Sequence, residues 1–468
     1  MTPEAAPTSG GTQIHGRTGP WGNVPAMGPI RRRHFPGRQP EGTADTLCRR
    51  TGGVARFGGV SSADRTQRTY RLELQRAVAN GVLESAGATF LLLIAVRWFH
   101  AGSTAKALVA GGGSVGLLLT PLVVSLVARR QWPTARAAAR FAIVGAVLFV
   151  LMAALPRLPL YVLGSMVTMA SASAVIPLLT QIYQENYPED RRGKLFSRAV
   201  MVRIGTVVVF SYLAGRWLTQ DLAHFRWLLL AFAVAFAFAA WCLHRYPSRP
   251  LNYAGRGHPF RAMRFVRDDR LFRHTLICWM LMGFANLMML PMRVEYLANP
   301  RHGLALSVSE IALLASVAPN LARLVMSQIW GRLFDRMNFF LLRVILNLGF
   351  AAGIITFFTS DSFTGLLAGA LIFGVSNAGG DVAWGLWVTK LSRPEHVADY
   401  MSVHTFFTGV RGVLAPLLAF QLSAGVSLAV LGWVSTGLIV VASLMLLPEA
   451  RFSREVRRGP GLTEEVSE

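Results

Sequence analysis

Apolar stretches of about 20 residues recur through most of the chain, beginning near residue 75. At a rise of 1.5 Å per residue, an α-helix of this length crosses roughly 30 Å of hydrocarbon. Apolar residues make up 53% of the chain and charged residues only 15%, whereas charged residues supply about 25% of an ordinary soluble domain. These stretches therefore predict an all-α, multi-pass membrane protein.

We predict twelve membrane spans, with both ends of the chain on the same side. Their ranges are 76–97, 104–127, 138–155, 159–184, 195–216, 226–244, 273–294, 305–330, 340–360, 364–389, 398–422 and 425–447.

Arginine and lysine decide the orientation of these spans. They are concentrated in both tails and in the connectors 2–3, 4–5, 6–7, 8–9 and 10–11, and basic residues near helix ends resist translocation. Both termini are therefore predicted to be cytoplasmic, with the protein in the inner (cytoplasmic) membrane of a bacterium. The net charge of +23 is explained by this asymmetry, and no nucleic-acid partner is expected.

The composition also predicts five regions along the chain. Residues 1–74 are polar, basic and rich in Gly and Pro, so we expect a disordered cytoplasmic tail. Residues 75–244 and 273–447 form two six-helix halves, and 448–468 form a second cytoplasmic tail. Between the halves, 245–272 is predicted to be a cytoplasmic linker with an amphipathic basic helix on the membrane surface.

The two halves are related by a weak internal repeat. A constant offset of 206 residues places Ala79-Asn80 on Ala285-Asn286 and Pro188-Glu189 on Pro394-Glu395. One unshifted offset pairs helix with helix and connector with connector, which indicates a duplication of six spans.

The connector between spans 8 and 9 contains "GRLFDR", with Gly331, Asp335 and Arg336. Twelve spans in two halves with this motif resemble the major facilitator superfamily over about residues 75–447. That family usually carries a Gly-x-x-x-Asp-Arg/Lys-x-Gly-Arg/Lys-Arg/Lys signature at connector 2–3 and a weaker copy at 8–9. Here Asn338 replaces the second glycine of the 8–9 copy, and the 2–3 copy lacks both Gly and Asp.

The resemblance implies two halves that rock about a central cavity lined mainly by helices 1, 4, 7 and 10. It also implies a cytoplasmic gate at the signature. Asp335 is expected to be a latch carboxylate beside Arg336, with Arg323 as one candidate partner, and Gly331 is expected to let two helix ends approach closely.

We single out six charged residues inside the spans, where an unpaired charge is costly and marks function or a partner. They are Glu84, Arg198, Arg203, Arg323, Asp381 and Arg411. Glu84 is a candidate proton carrier, or is instead paired with Arg203 or Arg411. A guanidinium such as Arg203 or Arg411 can hold a carboxylate or phosphate in two hydrogen bonds.

Three uncharged residues complete the candidate substrate site. Asn286 and Gln181 offer hydrogen bonds on spans 7 and 4, and Trp384 lies beside Asp381 on span 10.

The sequence thus predicts a secondary active transporter of a small solute, with an organic anion as candidate substrate and a proton as candidate coupling ion. Alternatives are proton-driven efflux of drugs or cations, and a membrane sensor or assembly factor on the same scaffold. No enzyme activity, metal or other cofactor is expected. The expected partners are a small-molecule substrate and the lipid bilayer, and the chain is expected to be a monomer.

Overall fold

The computed structural model describes residues 62–250, 263–391 and 397–456, apart from a few side chains within them. Within this part, twelve helices are long and apolar enough to cross a membrane. The prediction of an all-α protein with twelve spans is therefore confirmed. The helices are α1 Ala63–Arg97, α2 Ser103–Arg129, α3 Thr134–Ala154, α4 Leu158–Asn186, α5 Arg191–Gln220, α6 Leu222–His244, α7 Arg270–Ala298, α8 Val308–Phe334, α9 Phe339–Phe358, α10 Phe363–Trp384, α11 Tyr400–Leu422 and α12 Leu428–Ala450.

α1 starts well before the predicted span, because the α-helix runs from Ser62. The predicted disordered tail is thus wrong over residues 62–74, which are helical. Their polar composition concealed an inward face: Thr69 is fully buried, and Glu73 and Arg76 are nearly so. In the described part of the predicted linker 245–272, a five-residue helix runs over Arg264–Asp268, and α7 already begins at Arg270. Residues 1–61, 251–262 and 457–468 lie outside the described part of the chain.

The two halves repeat one set of helix contacts. In the first half, α3 packs on α6, α2 on α4, and α1 on both α5 and α6. In the second, α9 packs on α12, α8 on α10, and α7 on both α11 and α12. Each pair has its counterpart six helices later, as a duplicated six-helix unit requires.

The halves meet through α2 with α11, α5 with α8, and the end of α1 with α7. Small residues allow this approach. A Cβ on Gly412 would lie 2.1 Å from the Ser114 hydroxyl, and one on Gly215 would lie 2.6 Å from the Ala312 Cβ. Helix backbones without large side chains at a crossing come close enough to pack by van der Waals contact alone.

We call the side where α1 begins and α12 ends the terminal side, and the opposite side the far side. Most contacts between the halves lie towards the far side. Apolar side chains remain exposed on the outer helices, among them Ile143 on α3, Val234 on α6 and Leu444 on α12. Exposed apolar surface of this extent suits contact with lipid rather than water.

Two helices contain a short π-helical turn, Ala86–Phe90 in α1 and Leu313–Val317 in α8. The two turns pack against each other across the halves. A π turn inserts one extra residue and rotates the side chains that follow, and such turns are frequent at functional sites. These two lie next to the charged residues described below.

Candidate functional site

Four charged side chains form one network between the halves. Glu84 on α1 and Arg203 on α5 belong to the first half, and Arg323 on α8 and Asp381 on α10 to the second. Arg323 Nη1 donates to Glu84 Oε1 at 2.7 Å, and Arg323 Nε donates to Asp381 Oδ2 at 2.5 Å. Arg203 Nε lies 3.0 Å from Glu84 Oε2 without a well-directed hydrogen bond. One guanidinium therefore bridges a carboxylate from each half.

Polar residues on α8 support Arg323 from the far side. The Asn320 side-chain oxygen accepts from Arg323 Nη1 at 3.2 Å, and its amide donates to the Ser316 carbonyl. Ser316 in turn shares a 2.9 Å hydroxyl contact with Ser211 on α5. The arginine is thus held by a chain of hydrogen bonds that itself crosses between the halves.

The members of the network differ in their access to solvent. The side chain of Arg323 is only 8% exposed, whereas Glu84 is 28% exposed and Asp381 is 46% exposed. Both carboxylates can therefore be reached from outside while the arginine between them cannot.

The remaining predicted substrate residues lie apart from this network. Gln181 on α4 donates to Glu185 one turn later at 2.7 Å. The Trp384 ring stacks at a tilt on His404, with centroids 5.6 Å apart. Asn286 on α7 keeps its side-chain oxygen buried and without a hydrogen bond among the described residues.

Arg411 does not pair with Glu84, so that candidate pairing is wrong. Its Nη1 donates to the Trp279 carbonyl at 2.6 Å, inside the second half. The reason is a glycine: a Cβ on Gly283 would lie 1.7 Å from that nitrogen. Because position 283 carries no side chain, the guanidinium lies flat against α7.

The residues predicted to form a gate at the signature are not brought together by the described part of the structure. Arg323 is bound to Glu84 and Asp381, rather than lying near the terminal-side end of its helix as a partner for Asp335. Nothing lies within 4 Å of a Cβ built on Gly331, so the predicted close approach there is not present in this structure. Arg336 is exposed, and the side chain of Asp335 lies outside the described residues.

Arg343 follows the signature in the sequence, and the positive-inside rule would place it at the membrane surface. The structure contradicts that expectation. Arg343 is 3% exposed, and its guanidinium lies 3.9 Å from the centroid of the Trp279 ring. α9 begins at Phe339, so Arg343 is one turn inside the helix and points into the second half.

A buried ion pair on the far side was missed by the sequence analysis. Lys106 on α2 lies 2.6 Å from Glu295 on α7, and both side chains are buried. Asn299 donates to the same carboxylate oxygen at 2.7 Å. Arg97, the last residue of α1, donates to the carbonyls of Ala298 and Leu306. We call Arg97, Lys106, Glu295 and Asn299 the far-side clasp, since it joins the two halves there.

A second missed cluster lies on the terminal side of the first half. Glu73 and Arg76 on α1 form a buried pair, with Arg76 also donating to the Tyr183 hydroxyl at 2.6 Å. Tyr246, just beyond α6, donates to Glu73 at 2.5 Å. Burial and the neighbouring Glu73 carboxylate raise the pKa of the Tyr246 hydroxyl well above its usual value. The hydroxyl therefore stays protonated and remains a hydrogen-bond donor.

Within the described residues, no group of three or more His, Cys, Asp and Glu side chains is placed to hold a metal ion. The site is one of paired charges between two helical halves, within a fold of twelve candidate membrane-spanning helices.

Comparison with known proteins agrees with this architecture. Residues 296–464 match the model of the Major Facilitator Superfamily. A mutant of the nucleoside transporter NupG superposes with a TM-score of 0.67 at 12% identity, over 81% of this chain and 99% of that one. Over residues 296–464 the chain is therefore similar in sequence to this superfamily, as the sequence predicted, and it shares the fold of the solved transporter.

Two further solved structures show the same fold. A D-xylose–proton symporter has a TM-score of 0.57 at 16% identity, over 82% of this chain and 96% of that one. A bacterial homologue of the human lysosomal transporter Spinster, in an inward-facing and occupied conformation, has a TM-score of 0.57 at 13% identity. The match covers 86% of this chain and 98% of that one. No curated protein matches the sequence. At these identities the structural likeness establishes the fold and not the substrate.

Proposed function

We propose that the protein is a secondary active transporter that moves a small organic anion together with a proton by alternating access. The observation that carries the proposal is the bridge made by Arg323 between Glu84 of one half and Asp381 of the other. A bond that crosses the halves, and that depends on the charge of two carboxylates, couples protonation to their relative movement.

The chemistry of the bridge suggests how a proton and an anion would be linked. When Glu84 or Asp381 takes up a proton, its carboxyl group loses its negative charge and its attraction for Arg323 weakens. The freed guanidinium then donates hydrogen bonds to the carboxylate or phosphate of a solute in place of the protonated carboxyl group. The charge around Arg323 stays balanced, so proton and anion are favoured together. Arg203, which holds Glu84 without a directed hydrogen bond, is the second candidate anion ligand.

In this proposal the structure represents the state open to the terminal side. The contacts between the halves are concentrated on the far side, and the exposed carboxylate of Asp381 is reached from between the halves. With the predicted cytoplasmic termini, this state would face the cytoplasm.

The test is transport into proteoliposomes by the purified full-length chain. Carboxylates, sugar phosphates, nucleosides, sugars and organic cations are first ranked by the rise in melting temperature that each produces. Uptake of the best ligand is then measured with and without an imposed pH gradient. We expect an anionic solute whose uptake rises several-fold with the gradient.

Variants then separate coupling from binding. Asp381→Asn and Glu84→Gln each imitate a protonated carboxylate, so we expect loss of gradient-driven uptake with exchange of solute retained. Asp221→Asn is the control, because Asp221 is an exposed carboxylate that caps a short turn on the far side. Gradient-driven uptake that survives in both carboxylate variants would overturn the assignment of the coupling site.

A second candidate is export of an organic cation. It is favoured by the exposure of Asp381 and by Trp384, which lies one turn further along α10 and could stack on a cation. Stabilisation by cations and not by anions in the same screen would support this candidate and exclude the first.

A further inference from the structure

Two arginines of the second half lie on the same turn of α7. Arg343 on α9 contacts this turn through the Trp279 ring and through the Met282 sulfur, which is 3.0 Å from its Nη2. Arg411 on α11 contacts it through the Trp279 carbonyl and the surface of Gly283. Both guanidinium groups are more than nine-tenths buried.

Aromatic rings close this region off from solvent. His404 lies two turns before Arg411 on α11, and its ring is fully buried. It meets Trp279 and Trp387 edge-on, with centroids 5.6 Å and 5.1 Å apart. The two indoles stack on each other at 5.2 Å. We call these five residues the C-half cluster: Trp279, Arg343, Trp387, His404 and Arg411.

Among the described residues, few carboxylates lie on the helices around this cluster. α9 contains no Asp or Glu, and neither does α11 from Tyr400 onward, while α7 and α10 contain one each, Glu295 and Asp381. α12, which packs on α7 and α9, carries only Glu449, which lies near Cys278 at the terminal-side end and is partly exposed. Glu295 is bound by Lys106, and Asp381 by Arg323. Just before α7, Asp269 accepts from Tyr400. Two positive charges are therefore buried together without a described counter-charge, which is costly in a low-dielectric interior.

The same region has more hydrogen-bond donors than acceptors. The indole nitrogens of Trp279 and Trp387 and the Nε of Arg411 are buried without partners among the described residues. Both ring nitrogens of His404 and the Thr408 hydroxyl are likewise buried without hydrogen-bond partners among the described residues. An indole and a guanidinium can only donate, so a ligand that satisfies them must accept. Buried polar groups without partners are rare and call for an explanation, such as a bound ion.

We propose that the C-half cluster binds a small inorganic anion, with chloride as the representative ligand, between Arg343 and Arg411. A halide accepts several hydrogen bonds from any direction and supplies the missing negative charge. Because Trp387 and His404 are fully buried, the site is closed off from solvent, which favours a small ion over a larger solute. The anion would hold α7, α9 and α11 together, independently of the charge network at Arg323.

The proposal is tested with the purified full-length chain, in sodium chloride and in sodium gluconate at equal ionic strength. Gluconate is an anion too large for a closed site. We expect chloride to raise the melting temperature saturably, by roughly 5 °C at concentrations far above its dissociation constant. Tryptophan emission should change over the same chloride range, because two indoles belong to the cluster.

Matched variants locate the site. Arg343→Gln and Arg411→Gln should each abolish the chloride-dependent shift. Arg293→Gln should keep it, because Arg293 is also buried and unpaired but lies over Phe373, near the far-side end of α7. Equal melting temperature and emission of the unmodified chain in the two salts would overturn the proposal. So would a chloride shift that survives in both cluster variants. The emission measurement on the unmodified chain decides the question if the variants fail to fold.

Discussion

Arg411 shows how a single missing side chain can decide where a charge lies in a membrane protein. The sequence places Arg411 in mid-span, and a carboxylate partner such as Glu84 is a reasonable expectation for a buried cation. The guanidinium instead occupies the space left by Gly283 and donates to a backbone carbonyl of α7. The position of the Arg411 side chain therefore depends on the absence of a side chain at position 283 of α7.

We therefore expect Gly283→Ala to be destabilising, although alanine is the better helix former. The new Cβ would lie 1.7 Å from Arg411 Nη1, so the arginine must leave its position. Overpacking of this kind costs about 1–3 kcal/mol, and it should appear as a lower melting temperature.

The matched control for this substitution is Gly437→Ala in α12, where nothing lies within 4 Å of the added Cβ. That change should be neutral or slightly stabilising, since alanine gains up to about 1 kcal/mol over glycine in a helix interior. Equal effects of the two substitutions on the melting temperature would mean that Arg411 can move away from the new Cβ at no cost in stability.

Residue identity alone predicted part of the site. Glu84, Arg203, Arg323 and Asp381 stand out in the sequence because charges inside apolar spans are rare, and the structure brings these four together. Their pairing could not be predicted, because it depends on how each helix is rotated about its axis. Each π turn in α1 and α8 contains one extra residue, which changes the direction in which the following side chains point. Such a turn is not recognisable from the sequence. The burial of Arg343 could not be predicted for a related reason, since its distance from the helix start does not show which way its side chain points.

At the scale of whole elements, the far-side clasp joins α1 and α2 to α7 and the connector that follows it. Lys106 and Glu295 were overlooked because each lies near a helix end, where a charged residue usually reaches water. In the folded protein both side chains are buried. In the proposed alternating-access mechanism this pair would have to separate whenever the far side opens, so its strength would help to set the balance between the two states.

We expect Glu295→Gln to destabilise the protein by about 3–5 kcal/mol, because it leaves the Lys106 charge buried and uncompensated. The double variant Lys106→Met, Glu295→Gln should recover most of this loss, because it removes both charges. The unmodified protein, the two single variants and the double variant form a double-mutant cycle, in which the free energies of thermal unfolding are compared. Additive losses would show that the two side chains act independently.

At the scale of the whole molecule, α5 and α8 should stay together while the far side is closed and part when it opens. The Ser211 and Ser316 hydroxyl oxygens are 2.9 Å apart and fully buried. We expect a Ser211→Cys, Ser316→Cys variant, made without the native cysteines, to form a disulfide on oxidation. That bond should abolish solute uptake.

Reduction should restore uptake in this variant, and each single cysteine variant should be unaffected by the oxidant. Full uptake by the oxidised, cross-linked protein would show that these two helices do not separate during transport.

The large-scale architecture was the most predictable feature of the chain. Twelve apolar runs and the offset between Ala79 and Ala285 were sufficient for the fold, because hydrocarbon thickness limits helix length and a repeat implies similar packing in each half. The start of α1 was less predictable, because residues 62–74 are polar in composition. Their helical structure rests on long-range contacts such as that of Tyr246 with Glu73, which local sequence does not show.

Those long-range contacts also bear on the segment that joins the halves. Tyr246 is held by Glu73, and the Arg249 carbonyl accepts from the Thr134 amide of α3. On the other side, Tyr400 binds Asp269 at the start of α7. Only residues 251–262 lie between the described ends of the two halves, a stretch that reaches at most about 45 Å when extended. As a covalent tether of that reach, it would keep each half at a high effective concentration relative to the other. In the proposed mechanism, the far-side interface could then open and re-form repeatedly while the halves stay close to each other.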